Sequence, residues 1–431
     1  MAVSSEQAAE SRVRVRVEEE LALELGRRGG GRLRIEDQGW AYDLVGRLVG
    51  QEQREGGYAL DRAQCEAIWR RVFGAVTPLG PLAEYLADPQ VEEIRINGTG
   101  ACFVVRDGLR TEVSPPFTEE EPLVALVQWY ADGSGSARLD RASPTVTMTL
   151  PDGSRLHAAL TPPSRPMSVT IRRHPPARFR TLGDLAAAGF LPEAMERFLE
   201  AAVRRRLNIL VAGGTGTGKT TFTRVLCRLI PGHERVVTIE DQAELHLWRD
   251  LADCVSLEGR PHNTEGKGAI TIQMLVHEAL RMSPDRIVIG EVRGGEALDL
   301  LDAMNTGHPG SICTLHSESP RDTVPRLVRL ALRSPHAPGL DALVAEVART
   351  VDLVIQLGGL GTRADGARVR RLRSLGYLAG VEAGRVTVDE LVRLAPDGRW
   401  RRVGAVSAMP ERILAKLEGL DPDALLEPLD A

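Results

Sequence analysis

The chain predicts an α/β fold on a mostly parallel sheet, preceded by a smaller α+β domain. Three observations lead there. From Thr181 to about Leu357, apolar strand-like runs alternate with helical patterns, the order that a parallel sheet with crossover helices requires. Within that stretch, Gly213 to Thr220 spell G-x-x-x-x-G-K-T between an apolar run, Leu207–Ala212, and a helical segment, Thr221–Leu229. Further upstream, short runs are separated by Asn97-Gly98, Asp107-Gly108 and Asp152-Gly153, the signature of hairpins.

A length of 431 residues suits two to four domains. Residues 1–60 read as a charged, partly helical arm, with helices around Val17–Leu25 and Gly39–Gln51 and a break at Gly29–Gly31. Residues 61–174 form the α+β domain. It has helices at Glu66–Val76 and Pro81–Ala87, and strands at Val91–Ile96, Phe103–Arg106, Val146–Leu150 and Leu156–Leu160. A linker marked by Pro175-Pro176 covers 175–183, and the alternating domain runs from 184 to 357. Beyond it, 358–431 shift to hairpin strands (Ala367–Leu372, Arg385–Val392, Trp400–Val406), a short helix at Pro410–Leu417 and an acidic tail.

The segment Gly213, Gly214, Thr215, Gly216, Thr217, Gly218, Lys219, Thr220 and Thr221 is a phosphate cradle. Its glycines let backbone N–H groups turn inward, and the positive end of the following helix faces the same anion. Composition strengthens the match. Only three of 54 basic residues are lysine, yet one of them is Lys219. A compact ammonium fits between β- and γ-phosphates where a planar guanidinium does not. The implied ligands are ATP and Mg²⁺, with the Thr220 hydroxyl on the metal.

Acids follow at the ends of two later strands. Val236–Ile239 runs into Glu240, Asp241 and Glu244, and Ile287–Gly290 into Glu291, with Arg293 two residues on. Ligands of α/β sheets sit beyond strand C-termini, so these carboxylates can hold Mg²⁺, partly through water, or polarise an attacking water. The second strand resembles a Walker B strand with glycine in place of the usual aspartate. His308 and His316 flank a strand at Ser311–Leu315 and suit a γ-phosphate sensor.

Bulk properties exclude other classes. A net charge of −5 and 4% aromatic residues argue against a dominant nucleic-acid surface. Five scattered cysteines form no metal spacing, which fits a reducing compartment. No apolar run approaches membrane-spanning length, and the first ten residues lack a signal-peptide pattern, so a cytoplasmic protein acting peripherally at the membrane is expected.

The order of these motifs resembles the type II/IV secretion-system ATPases. Gly290–Ala297, Arg281–Arg286, Ala303–His308, Glu258–Arg260, Glu265–Gly268, Glu93–Gly98, Leu150–Arg155 and Thr170–Arg173 are similar to the CpaF/TadA branch. The resemblance covers roughly 75–357. It implies a RecA-like ATPase domain and a homohexamer. It also implies polytopic inner-membrane platform proteins of a Flp/Tad-type pilus or secretion machine as partners, at the inner face of the plasma membrane. Nucleotide would lie between the two domains, with Arg172, Arg173, Arg260, Arg281 and Arg293 as candidate transition-state arginines. The resemblance favours Glu244 as base and Glu291 as a ligand of metal-bound water. Other readings are a DNA-translocating motor and a nucleotide-gated scaffold with negligible turnover.

Overall fold

The structure is a computed structural model that describes residues 5–27, 38–57, 60–76, 82, 85–86, 88–106, 108–134, 138–150, 153–173, 179–260, 262, 267–362, 368–421 and 423–426. The expected Gly29–Gly31 break, most of the Pro81–Ala87 helix, Pro175-Pro176 and the end of the acidic tail lie outside these residues. The chain divides into two compact units, Met1–Pro176 and Ala177–Ala431.

The first unit begins with three helices, α1 (Ser5–Arg27), α2 (Gln38–Glu55) and α3 (Arg62–Val76). Helix α1 looks charged, but Ala9, Val13, Val17 and Leu21 recur every four residues on one face. That stripe packs on Leu44 and Leu48 of α2 and on Ile68 and Val72 of α3, all buried. The division expected at residue 60 therefore falls between helices that share one core. Arg71 of α3 pairs with Glu6 and Glu10 of α1 at 2.5 and 2.7 Å. Such exposed pairs contribute no more than about 1 kcal/mol, so apolar burial holds the bundle.

An antiparallel sheet follows, in the order β3 (Leu109–Val113), β2 (Ala101–Arg106), β1 (Val91–Asn97), β6 (Ser168–Arg172), β5 (Arg155–Ala159), β4 (Thr145–Thr149). Alternate residues such as Leu156, Ala158, Val169 and Ile171 face inward. Helix α4 (Glu120–Ser134) covers them with Leu123, Leu126 and Val127.

The second unit holds a nine-stranded sheet. In sheet order its strands are β15 (Trp400–Arg402), β14 (Arg385–Leu394), β13 (Arg368–Glu382), β12 (Leu353–Thr362), β7 (Ile209–Gly213), β11 (Ile312–His316), β10 (Arg286–Val292), β8 (Val236–Glu240) and β9 (Cys254–Glu258). The six from β12 to β9 are parallel. The other three pair antiparallel, so the sheet is mixed with its parallel part in the majority. The C-terminal hairpins expected beyond residue 357 continue this sheet.

The inner parallel strands are apolar on both faces because helices cover both sides. Ile209, Val211, Val288 and Ile312 meet α6 (Met195–Arg204) and α7 (Lys219–Cys227), through Phe198 and Phe222, in one core cluster. Leu210, Ile239, Ile289 and Leu315 meet α8 (Ile272–Ala279), α9 (Glu296–Asn305), α10 (Pro320–Ala331) and α11 (Leu340–Thr350) in the other. A short helix, α5 (Leu182–Ala187), opens the unit under a Thr181 capping box. Helix α12 (Glu411–Leu414) lies near its end.

Candidate active site

Strand β7 lies between β12 and β11, and all five of its residues are buried. It delivers the glycine segment to the C-terminal edge of the sheet. A side chain at Gly213 would meet Thr217 Oγ1 at 2.6 Å and the Leu357 carbonyl at 2.9 Å, so only glycine fits. Gly216 and Gly218 take φ of 74° and 93°, a conformation that side chains rarely adopt. Gly218 caps α7 without a side-chain acceptor, leaving first-turn N–H groups directed at whatever anion the loop holds.

Lys219 is the buried centre of the site, 8% exposed. Its Nζ donates to the carbonyls of Gly213 at 2.9 Å and Gly214 at 3.0 Å. Burial pushes the ammonium below the ordinary lysine value, opposed by Glu291. His316 ends β11, next to Gly213 in register. Its Nε2 lies 3.0 Å from Glu291 Oε1 and its Nδ1 3.3 Å from Lys219 Nζ. Burial, then Lys219, lowers the His316 pKa and favours neutral imidazole. A neutral ring that donates from Nε2 to the carboxylate must accept at Nδ1 from the lysine. One imidazole thus couples Lys219 to Glu291. The other Glu291 oxygen accepts from Arg293 at 2.7 Å, and Arg293 also reaches Asp241 at 3.2 Å.

The acid box divides its labour. Glu240 is buried, and its carboxylate accepts from the amides of Glu244 at 3.1 Å and Leu245 at 3.1 and 3.3 Å. Burial raises its pKa to about 7. It packs against Gly290, where an added Cβ would meet Glu240 Cγ at 2.7 Å. The glycine in the Walker B-like strand is therefore there to admit a carboxylate from the neighbouring strand. Glu240 clasps the loop that carries Glu244 and does not extend toward a cation as expected. Glu244 is the acid at the loop: Thr220 Oγ1 donates to its Oε2 at 3.1 Å. Arg224 of α7 holds the Glu244 carbonyl.

Among the described residues no three His, Cys, Asp or Glu side chains converge on a metal-sized site. The Thr220 hydroxyl, with Glu244 beside it and Glu291 across the loop, is an all-oxygen set that suits Mg²⁺ shared with nucleotide phosphates and water.

The other expected residues are carried by other elements. His308 precedes β11, so a five-residue strand of about 16 Å separates it from the end bearing His316. Its ring bonds the Pro284 carbonyl at 2.9 Å. The strand expected between the two histidines is present, and it sets them at opposite ends, so that only His316 lies beside the phosphate loop. Arg281 is at that same far end, paired with Glu278 at 2.7 Å. Arg260 follows the edge strand β9 and bonds the Gly268 carbonyl at 2.9 Å. In the first unit, Arg172 ends β6 and Arg173 donates to the carbonyls of Tyr85 and Asp88.

A cavity of about 360 Å³ opens at the head of the loop, lined by Gly214, Thr215, His316, Ser317, Glu318, Asp322, Arg326 and Arg329. A larger cleft of about 540 Å³ lies between α10 and the C-terminal strands and contains none of the loop residues. The smaller one is the cavity that shares Gly214, Thr215 and His316 with the phosphate loop and its neighbouring strand.

A mixed α/β sheet with this loop, a buried lysine and strand-end carboxylates defines a phosphate-loop nucleotide-binding fold. Residues 77–394 match the type II/IV secretion system protein family, and the chain belongs to it. A Mycobacterium tuberculosis (strain H37Rv) protein named for conjugal transfer is 38% identical over 284 residues, 63% of this chain and 75% of that protein. VirB11 of Agrobacterium fabrum is 33% identical over 308 residues, 64% of this chain and 87% of VirB11. The pilus retraction motor PilT, solved with bound ADP, shares the fold at 21% identity and a TM-score of 0.50, over 70% of this chain and 83% of PilT. No helix among the described residues is long and apolar enough to cross a membrane.

Proposed function

We propose that this chain is a Mg²⁺-dependent motor ATPase of the CpaF/TadA branch. It would work as a homohexamer at the cytoplasmic membrane and drive assembly of a Flp/Tad-type pilus or a related secretion machine through polytopic platform proteins. The observation that carries the reading is the coupling of Lys219 to Glu291 through His316, beside the Thr220–Glu244 contact. Lys219 and the loop amides hold the phosphates. Thr220 ligates Mg²⁺, which offsets phosphate charge. Glu244 stands nearest the Mg²⁺ ligand and orients the attacking water, while Glu291, engaged by His316 and Arg293, acts through water. His316 touches both the phosphate-binding lysine and the acid, so loss of the γ-phosphate alters its partners. Such a change is suited to a RecA-like motor that converts hydrolysis into movement.

Phosphate release tests this directly. Lys219→Ala should abolish it with the melting temperature kept, and Glu244→Gln should retain ATP while hydrolysis falls by about 10²-fold or more. Wild-type turnover in either variant removes the corresponding role. Relatives named for conjugal transfer supply a second reading, a motor of a DNA-exporting machine. Turnover stimulated by DNA would favour it.

A further inference from the structure

Strands β12 and β13 do not stop where the sheet does. Leu357 of β12 pairs with Gly213, the last residue of β7. Residues Gly358 to Thr362 continue past that point, paired with the start of β13 through Gly358↔Arg371, Gly359↔Arg370 and Thr362↔Arg368. Five residues add about 17 Å of two-stranded ribbon beyond the level at which the phosphate loop begins. Gly358 leaves room for the Arg373 stem, which would lie 2.3 Å from an added Cβ.

Arg370 is the ribbon's contact with the loop. A Cβ on Gly218 would lie 3.9 Å from Arg370 Cδ and 3.6 Å from Phe190 Cε2. The arginine stem therefore runs beside the last glycine of the cradle, which Phe190 also approaches. Its Nε is buried and has no hydrogen-bond partner. Arg371 also has a buried Nε without a partner, but its terminal nitrogen donates to Gly398 and its plane lies on Trp400, while Arg373 fills the space over Gly358. No carboxylate among the described residues pairs with Arg370. A half-buried guanidinium with an unmet donor, held beside a helix N-terminus, is costly unless an anion completes it.

We propose that Arg370 is a nucleotide-binding residue that donates to the phosphate chain shared by ATP and ADP. The inference rests on nucleotide occupying the 213–220 loop. The ribbon thereby makes a C-terminal strand part of the substrate site. Arg370 is delivered by sheet register from 150 residues beyond the loop's last residue, Thr220.

Binding of Mg·ADP and of Mg·pyrophosphate to the full chain, measured calorimetrically, tests this. Pyrophosphate carries the phosphates without a base. Arg370→Met keeps the apolar stem over Gly218 and drops the charge. It should weaken both ligands by a similar factor, about 10- to 100-fold, and Arg370→Lys should recover part of that loss. A matching melting temperature for Arg370→Met excludes a packing effect, and Arg370→Gln serves if the methionine variant does not fold. Weakening of ADP alone would put Arg370 on the base and overturn the proposal, as would unchanged affinity for both. Failure of the wild type to bind either ligand would remove the phosphate site itself, an outcome distinct from both.

Discussion

Glu240 shows how one side chain's surroundings set its chemistry. In the unfolded chain its carboxyl ionises near 4.5, whereas in the folded protein burial raises that to about 7. Below pH 4.5 neither state is ionised and no penalty arises. Between those values the unfolded chain releases a proton that the folded protein keeps, so this residue's contribution to stability declines as pH rises and levels off above pH 7. Glu240→Gln keeps an oxygen for the Glu244 and Leu245 amides and never ionises. In chelator, it should melt with the wild type near pH 4.5 and at progressively higher temperature than the wild type up to pH 8. A gap that stays constant across this range would refute the buried-carboxyl reading. Lys219 is the counterpart: also buried, but supplied with the Gly213 and Gly214 carbonyls, so the site maintains a cation rather than a neutral acid.

Among the elements, β10 is anchored at its start by Arg286, fully buried. It meets Glu234 through Nε at 2.6 Å and through a terminal nitrogen at 3.1 Å, and donates to the Val203 carbonyl at 2.6 Å. Burial raises the Glu234 pKa, but Arg286 and Arg206 outweigh it and the net shift is downward. Glu234→Ala strands a buried guanidinium and should cost about 3–5 kcal/mol in urea unfolding, while Glu234→Leu with Arg286→Met should cost far less. Equal losses in both variants would show that packing, not charge isolation, dominates.

The same strand illustrates what the sequence reveals. Its apolar run and terminal acid were legible, as were β7, β8 and the glycine loop, because each is specified by neighbours within about ten residues. The inward turn of Glu240 was not legible, since E-D-x-x-E spacing does not say which acid faces a glycine one strand away. The strand between His308 and His316 was legible, and its length is what separates the two rings. Arg370 was beyond reach because only sheet register brings it to Gly218. Helix α1 was under-read because its buried stripe is thin and includes a small alanine among many charges.

At the scale of the whole molecule, every residue assigned to phosphate chemistry, from Lys219 to Glu244, Glu291, His316 and Arg370, belongs to the unit Ala177–Ala431. That unit has its own two cores. A fragment of residues 177–431 should therefore melt cooperatively and bind Mg·ADP within about tenfold of the full chain, as measured by calorimetry. Loss of binding in a folded fragment would place an essential contact in the first unit.

The position of β7 between β11 and β12 also constrains the order of events at the ribosome. Its partners are encoded about 100 and 145 residues later, at Ile312–His316 and Leu353–Leu357. A nascent chain stalled before Leu353 has made the glycine segment but has not yet made one of the two strands that flank it. Non-local parallel pairing of this kind closes slowly. Enclosure of the glycine segment between its two flanking strands therefore waits until Leu357 has been made, and a product that stops before Leu353 would lack one of its walls.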